Sequence, residues 1–267
     1  MDLQLTGKRA LISGGSRGIG KAVALALAQE GVQVAILARQ DGPLQRAALE
    51  IGQASAHPVV TVRADTSRDD EVRHAFAQAV SQLGGNIDIL VNAAAEPAGY
   101  GPPPGTLEIS SSFFHQELNI KVMGYLRCAQ QVIGGMKAQG WGRIINISGL
   151  AARQTGNAVG SVRNVALSAL SKNMADELGP FGIHVLVVHP GQTRTERTAA
   201  LIENRAAAQG LSARDVEAQM AQRNSIHHLL DAAEVADVIA FLCSPRARAI
   251  NGDAIALGGG APGSIHY

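Results

Sequence analysis

Arg9-Ala-Leu-Ile-Ser-Gly-Gly-Ser-Arg-Gly-Ile-Gly20 is the stretch that decides the fold. Ala10 to Ile12 is a short apolar run that reads as a buried strand. Ser13, Gly14, Gly15 and Ser16 break it, and from Arg17 an apolar pattern at helical spacing takes over with Ile19, Val23 and Leu27. A phosphate-binding turn requires this order of strand, glycine-rich turn and helix, because the unpaired N–H groups and the positive end of the helix dipole then face the ligand. Gly14 is free to take a backbone conformation closed to other residues, Gly18 leaves room for a pyrophosphate, and Gly20 lets the helix pack closely on the strand. Other α/β proteins also carry glycine-rich turns, so the rest of the chain must agree.

It does agree in rhythm. Strands rich in Val and Ile are expected at 33–38, 58–62, 87–91, 142–147, 182–189 and 253–257. Helices are expected at 43–51, 67–83, 113–137, 158–178 and 233–243, with Ser67 and Asp70 as a capping pair for the second of these. A proline-bearing loop is expected at 95–106. Repeated strand–helix–strand crossovers force a parallel sheet covered on both faces, so the expected fold is α/β, a Rossmann-like doubly wound parallel sheet of seven strands. No second domain is visible, and 1–267 reads as one dinucleotide-binding domain. Its one insertion, 193–230, has Ser212 and Asp215 as a helix cap and leaves the carboxyl end of the sixth strand. That is the ligand edge of such a sheet, so the segment reads as a helical substrate lid.

The 267 residues are 46% hydrophobic and 17% charged, enough to bury a large core. A net charge of +1 gives no reason to expect nucleic acid or an acidic membrane surface. Cys128 and Cys243 sit in apolar helical patterns and read as buried free thiols, and His227-His228 lacks the spacing of a metal site. Met1-Asp2-Leu3 lacks the basic start of a signal peptide and no run reaches membrane-spanning length, so a cytoplasmic location is expected.

Several segments resemble the short-chain dehydrogenase/reductase family. They are the Gly14-x-x-x-Gly18-x-Gly20 turn with Ser16, Arg17 and Ile19 inside it, Asp65-Thr66 after the third strand, and Asn92-Ala93-Ala94-Ala95 after the fourth. Further on come Asn119 in the long helix, Pro190-Gly191-x-Thr193-x-Thr195, and the Gly258-Gly259-Gly260 run near the end. The resemblance implies that Asp65 and Thr66 meet the adenine, that Asn92, Ala93 and Ala94 line the dinucleotide, and that Pro190, Gly191, Thr193 and Thr195 meet the nicotinamide amide. It also implies a homotetramer or homodimer. Read without the resemblance, Asp65 is a turn residue ahead of a helix and Asn92 a loop residue capping its own backbone.

The second strand ends Leu37-Ala38-Arg39-Gln40, with no acid to hold a ribose 2′-hydroxyl. Arg39, with Arg17 in reach, suits a 2′-phosphate, so NADP(H) is expected over NAD(H); the other reading makes both solvated surface arginines.

The family's reaction passes a hydride between nicotinamide and a carbonyl or alcohol carbon while a tyrosine hydroxyl moves the proton. A lysine one helical turn later lowers the tyrosine pKa, and an upstream serine orients the substrate. In the register set by Ala166 to Leu178, the tyrosine position is Gly160 and the lysine position is Asn164. The three tyrosines are Tyr100, Tyr125 and Tyr267, none of them in that helix, and no lysine lies between Lys137 and Lys172. Candidates for the missing chemistry are Asn119, Ser148, Ser161, Arg163 and Asn164, with Tyr100 and Tyr267 further off. Two readings follow: an oxidoreductase acting on a carbonyl, alcohol or enoyl substrate through another proton donor, or a non-catalytic NADP(H)-binding protein or partner subunit. Both segments expected over the site read as apolar or small, with few charges near Asn92, which favours an apolar or acyl small-molecule substrate.

Overall fold

The computed structural model describes residues 1–95 and 103–262. The short apolar run expected ahead of the glycine turn forms β1, Arg9–Ser13, and α1, Gly18–Gln29, follows the turn. Six further strands join β1: β2 Gln33–Ala38, β3 Val60–Arg63, β4 Ile89–Asn92, β5 Gly142–Ile147, β6 Ile183–Pro190 and, after the insertion, β9 Ala254–Leu257. Their order is β3-β2-β1-β4-β5-β6-β9 and every pairing is parallel. The chain winds outward from β1 in one direction and from β4 in the other. A crevice opens at the carboxyl ends of the strands where the winding reverses.

Two apolar layers cover the sheet. On one face α1, α2 (Asp41–Gly52) and α9 (Ala232–Cys243) bring Val23, Leu27, Leu44, Ile51 and Ile239 against Ile12, Ile36 and Ile145. On the other, α3 (Asp69–Leu83), α5 (Gly124–Gln139) and α6 (Ala158–Leu178) bring Val72, Phe76, Val132 and Leu178 against Leu11, Leu90 and Ile144. Strands buried on both faces are nearly continuous apolar runs for this reason. Cys128 and Cys243 lie unpaired inside these layers, where burial pushes both thiols up to about 12. No helix among the described residues is long and apolar enough to cross a membrane.

Three local expectations change. Ser67 does not cap α3. The helix begins at Asp69, and the Ser67 N–H instead donates to Asp65 Oδ1 at 2.9 Å, because that carboxylate, two residues back, closes a tighter turn. The helix expected at 113–137 is α4, Ser111–Leu118, continued by a π-helical turn at Asn119–Met123 and then by α5. Of the loop expected at 95–106, residues 96–102 lie outside the described residues, and Thr106–Glu108 forms a 3-10 turn.

The insertion forms two helices, α7 Glu196–Gln209 and α8 Ala213–Ala221, with a small core of Ile202, Ala206, Val216, Met220 and Leu229. Ser212 caps α8 as expected: its Oγ accepts the Asp215 N–H at 3.2 Å. A two-residue ladder, β7 Thr193–Arg194 with β8 Leu230–Asp231, straps the ends of the insertion together.

The tightest packing lies under the glycine turn. A methyl at Gly20 would stand 2.4 Å from the Gly14 carbonyl oxygen, and one at Gly14 would stand 2.7 Å from the Ala93 backbone. Gly20→Ala is therefore expected to destabilise the protein by about 2–3 kcal/mol, as overpacking against immovable backbone does. Gly134→Ala, on an exposed turn of α5 with nothing within 4 Å of the added methyl, is expected to stabilise it by about 0.5–1 kcal/mol. Urea unfolding midpoints of the two variants should move in opposite directions.

Candidate functional site

A cleft of about 600 Å³ runs along the carboxyl ends of β1, β2, β4 and β5. Its floor is the glycine turn, where Gly14, Ser16, Arg17, Gly18, Ile19 and Gly20 all line the wall. Gly14 and Gly18 have φ of +71° and +57°, the left-handed backbone that this turn needs and that glycine alone takes without strain.

At one end stand Arg17, Arg39 and Gln40, with Asp65 and Thr66 beside them. Arg17 Nη2 donates to Gln40 Oε1 at 3.3 Å, which holds that guanidinium toward the end of β2. No carboxylate occupies the end of β2 itself, the place from which an acid would hold a ribose 2′-hydroxyl. Asp65 serves the turn and the cleft together. Its Oδ1 accepts the Ser67 N–H, its own N–H donates to Glu71 Oε2 at 2.8 Å, and the residue lines the wall.

The middle of the cleft is walled by Ala93, Ala94 and Ala95. Asn92 is not on the wall. It is fully buried, donates to Asn146 Oδ1 at 3.0 Å and accepts from Ser13 Oγ at 3.3 Å, so its side chain ties β1, β4 and β5 together beneath the floor. Beyond lie Pro190 and Thr195. Gly191 and Thr193 stand behind them. The Gly191 N–H donates to the Leu257 carbonyl at 2.9 Å and Thr193 Oγ1 to the Gly191 carbonyl at 3.1 Å, which sets the backbone path rather than the wall.

Of the residues expected to carry the chemistry, Ser148 alone lines the cleft among those described. Its hydroxyl makes a long contact, 3.5 Å, to the Asn164 carbonyl. Asn119 is turned away. Its Oδ1 accepts from Arg127 Nη2 at 2.8 Å and its Nδ2 donates to the Ser67 carbonyl at 3.4 Å. The cause is the π-helical turn that begins at this residue, which shifts the cleft-facing register onward along the chain. Ser161 Oγ donates to the Gln154 carbonyl at 2.9 Å on an exposed turn. Arg163 pairs with Glu117 away from the wall. Asn164 is buried behind Ser148, with Nδ2 on the Gly149 carbonyl at 3.4 Å.

Gly160 sits under the side chain of Asn157, whose Oδ1 accepts the Gly160 N–H at 2.8 Å and caps α6. A Cβ there would stand 2.7 Å from Asn157 Nδ2, so the cap fills the space a larger side chain would need. Tyr100 and Tyr267 lie outside the described residues.

Three of the wall residues that sequence reasoning passed over bear on the chemistry. Lys121 and Tyr125 face the cleft beside Ser148; Lys121 Nζ donates to the Ser148 carbonyl at 2.9 Å, and Tyr125 Oη to the Ile147 carbonyl at 3.1 Å. The signal was present, because Lys121, Tyr125, Cys128, Val132 and Met136 recur at helical spacing on a stripe that is otherwise uncharged. The third is Glu196, for which no local signal exists. From the start of α7 its Oε2 accepts the Gly18 N–H at 2.9 Å, and its Oε1 meets Lys21 Nζ at 2.7 Å. Arg17, the residue before α1, offers no side-chain cap, so Glu196 supplies one from across the chain. Partial desolvation would raise the Glu196 pKa, but Lys21 and the N–H groups of Glu196 itself and Gly18 together hold the carboxyl below its ordinary range.

The enoyl-(acyl carrier protein) reductase family model matches residues 14–261. The chain is 33% identical over 267 residues to the uncharacterized oxidoreductase YvrD of Bacillus subtilis, covering 97% of this chain and 98% of that one. It is 31% identical over 264 residues to the 3-oxoacyl-(acyl-carrier-protein) reductase FabG of Aquifex aeolicus, covering 97% and 99%. Among solved structures, L-sorbose reductase from Gluconobacter frateurii complexed with NADPH and L-sorbose superposes with a TM-score of 0.91 at 28% identity, covering 99% of this chain and 100% of that one.

An anionic ligand drawn to the start of α1 competes with Glu196 for the Gly18 N–H. Glu196→Gln removes the competing charge and leaves a side chain of the same shape. It is expected to tighten NADPH binding by about fivefold, the equivalent of about 1 kcal/mol. Weaker binding in a fluorescence titration would show that Glu196 supports the turn instead of opposing the ligand.

Proposed function

The chain belongs to the short-chain dehydrogenase/reductase family, and from that membership we propose that the protein is an NADP(H)-dependent oxidoreductase. Its reaction interconverts a carbonyl and an alcohol, or reduces an enoyl group, on an apolar or acyl small molecule. The observation that carries this reading is the continuity of the cleft. One wall runs from the Arg17–Arg39 end, through the glycine turn, to the Ser148 end.

Those residues fit the cofactor's parts in order. Arg17 and Arg39 suit the 2′-phosphate, the N–H groups at the start of α1 suit the pyrophosphate, and Ala93 to Ala95 give a wall without charge for the rings. When bound, NADPH supplies the hydride. The chain's own part is to orient it, to hold the substrate oxygen near Ser148, and to shield the reaction with α7 and α8, which we read as the substrate lid because Thr195, Glu196 and Arg197 at their start already line the cleft. The NADPH in the L-sorbose reductase structure and the 3-oxoacyl substrate in the name of the FabG relative support the cofactor and the carbonyl chemistry.

One observation favours the second reading, a protein that binds NADP(H) without turnover. The Asn157 cap has taken the space above Gly160, so α6 is built without a tyrosine there. Binding without turnover of any carbonyl or enoyl substrate would select it.

We also propose that the working protein is a homo-oligomer joined through α4, the π-helical turn and α6. Phe113, Met123, Val162 and Val165 are exposed apolar side chains on these packed elements. Val162→Lys with Val165→Lys should yield a smaller particle by light scattering. A monomeric wild type would remove this part of the proposal.

For the cofactor, calorimetry should find NADPH bound in the micromolar range and NADH at least about tenfold more weakly. Arg17→Ala and Arg39→Ala should each cost about 1.5–3 kcal/mol for NADPH and little for NADH. Equal binding of the two cofactors would sink the 2′-phosphate assignment.

A further inference from the structure

Reduction of a carbonyl needs a proton for the oxygen as well as a hydride for the carbon. Gly160 has no side chain to give one, and Asn164, buried behind Ser148, is an amide. Among the described residues, two other proton-bearing side chains that titrate line the cleft beside Ser148, Lys121 and Tyr125. The Tyr125 hydroxyl is committed to the Ile147 carbonyl, and burial pushes its pKa upward, away from neutrality.

Lys121 is placed differently. It is only 5% exposed, yet it lines the cleft, and its one hydrogen bond among the described residues, to the Ser148 carbonyl, leaves two of its three donor positions for another oxygen. It forms no ion pair among the described residues, because Glu117, the acid that acts on it, is held by Arg163. A buried cation without a counter-ion is unfavourable for folding, the arrangement expected of a group kept for chemistry. The π-helical turn is what brings it there, turning Asn119 onto Arg127 and Lys121 toward Ser148.

We propose, on the reading of the protein as a carbonyl reductase, that Lys121 is the proton donor. NADPH, when bound, would supply the hydride, whose C–H bond pair becomes the new C–H bond at the carbonyl carbon and leaves NADP⁺; the π pair of the C=O bond moves to oxygen, and an N–H bond of Lys121 breaks as the new O–H bond forms. The neutral amine regains its proton from water, and in the reverse direction the amine takes the alcohol proton. Ser148 Oγ, with only its long contact to the Asn164 carbonyl, orients the same oxygen.

The electrostatics suit the role. Burial first, and the Arg163 charge second, pull the Lys121 pKa down to about 7 against the opposing pull of Glu117. Of the other groups on the packed elements, Arg127 is bound to Asp69 and Asn119, Cys128 is a buried thiol, and Tyr125 is neutral. A folded-state value below that of the unfolded chain means that the unfolded state holds the extra proton between about pH 7 and pH 10.5, so stability rises with pH across that window.

The test uses full-length wild type, Lys121→Met and Lys121→Arg, with NADPH and ethyl 3-oxobutanoate as the carbonyl probe. Both variants should bind NADPH within about threefold of wild type and lose about 100-fold or more in kcat. The wild-type rate of reduction should fall as pH rises through about 7, since the ammonium is the donor. The little activity left in Lys121→Arg should show no such break, because a guanidinium keeps its proton throughout. A second readout needs no turnover. With the lysines carrying ¹³C-methyl labels, the Lys121 titration midpoint should be lower with NADP⁺ bound than with NADPH bound, because the oxidised ring is cationic. A midpoint indifferent to the cofactor's redox state, or a Lys121→Met that reduces the ester at the wild-type rate, overturns the assignment and leaves the oxidoreductase standing. A wild type that binds neither cofactor overturns the function itself.

Discussion

Three backbones meet under the cleft with no room for a side chain among them, and the rest of the molecule is arranged around that contact. Gly20 of α1 lies against the Gly14 carbonyl, and Gly14 lies against the chain leaving β4 at Ala93. This approach aims the first N–H groups of α1 along the carboxyl edge of the sheet. It also fixes where β4 delivers Ala93 to Ala95, and so where the cleft can run. A residue with a Cβ at either glycine would move a strand end or the helix, since no flexible side chain is present to yield.

Beneath the cleft a chain of buried polar groups locks the strand ends to one another. Ser13 Oγ bonds Asn92, Asn92 bonds Asn146, and Asn146 Nδ2 donates to Ser171 Oγ of α6 at 2.8 Å. Polar side chains that bond one another inside a low-dielectric layer tolerate little displacement. The Asn92 side chain thus holds the floor of the cleft, a use that a short motif does not reveal.

The second device is the π-helical turn between α4 and α5. The Gly124 N–H reaches back five residues to the Asn119 carbonyl, which also accepts from Arg127 Nη1 at 3.2 Å. The turn changes which side chains face the cleft: Asn119 turns to Arg127, while Lys121 and Tyr125 reach the wall beside Ser148. On the opposite side Asn157 caps α6 over Gly160.

The sequence by itself determined the fold, the glycine turn with Arg17 inside it, Arg39 at the end of β2 and the absence of a side chain at Gly160 of α6. Each of these is local: a period of apolar residues, a glycine where backbone must bend or touch, or the residue type at the end of a strand. Strand edges moved by a residue or two, and the cap of α3 passed from Ser67 to a turn closed by Asp65. Tertiary structure alone decided that Asn92 faces inward, that Asn119 faces away, and that Lys121 stands buried in the wall without an acid of its own. It decided too that Glu196, far along the chain, caps the helix on which the cofactor turn depends. These are outcomes of packing and of one extra residue in a helical turn. Neither has a fixed spacing in the chain, because each depends on which groups the fold brings together after the local elements have formed.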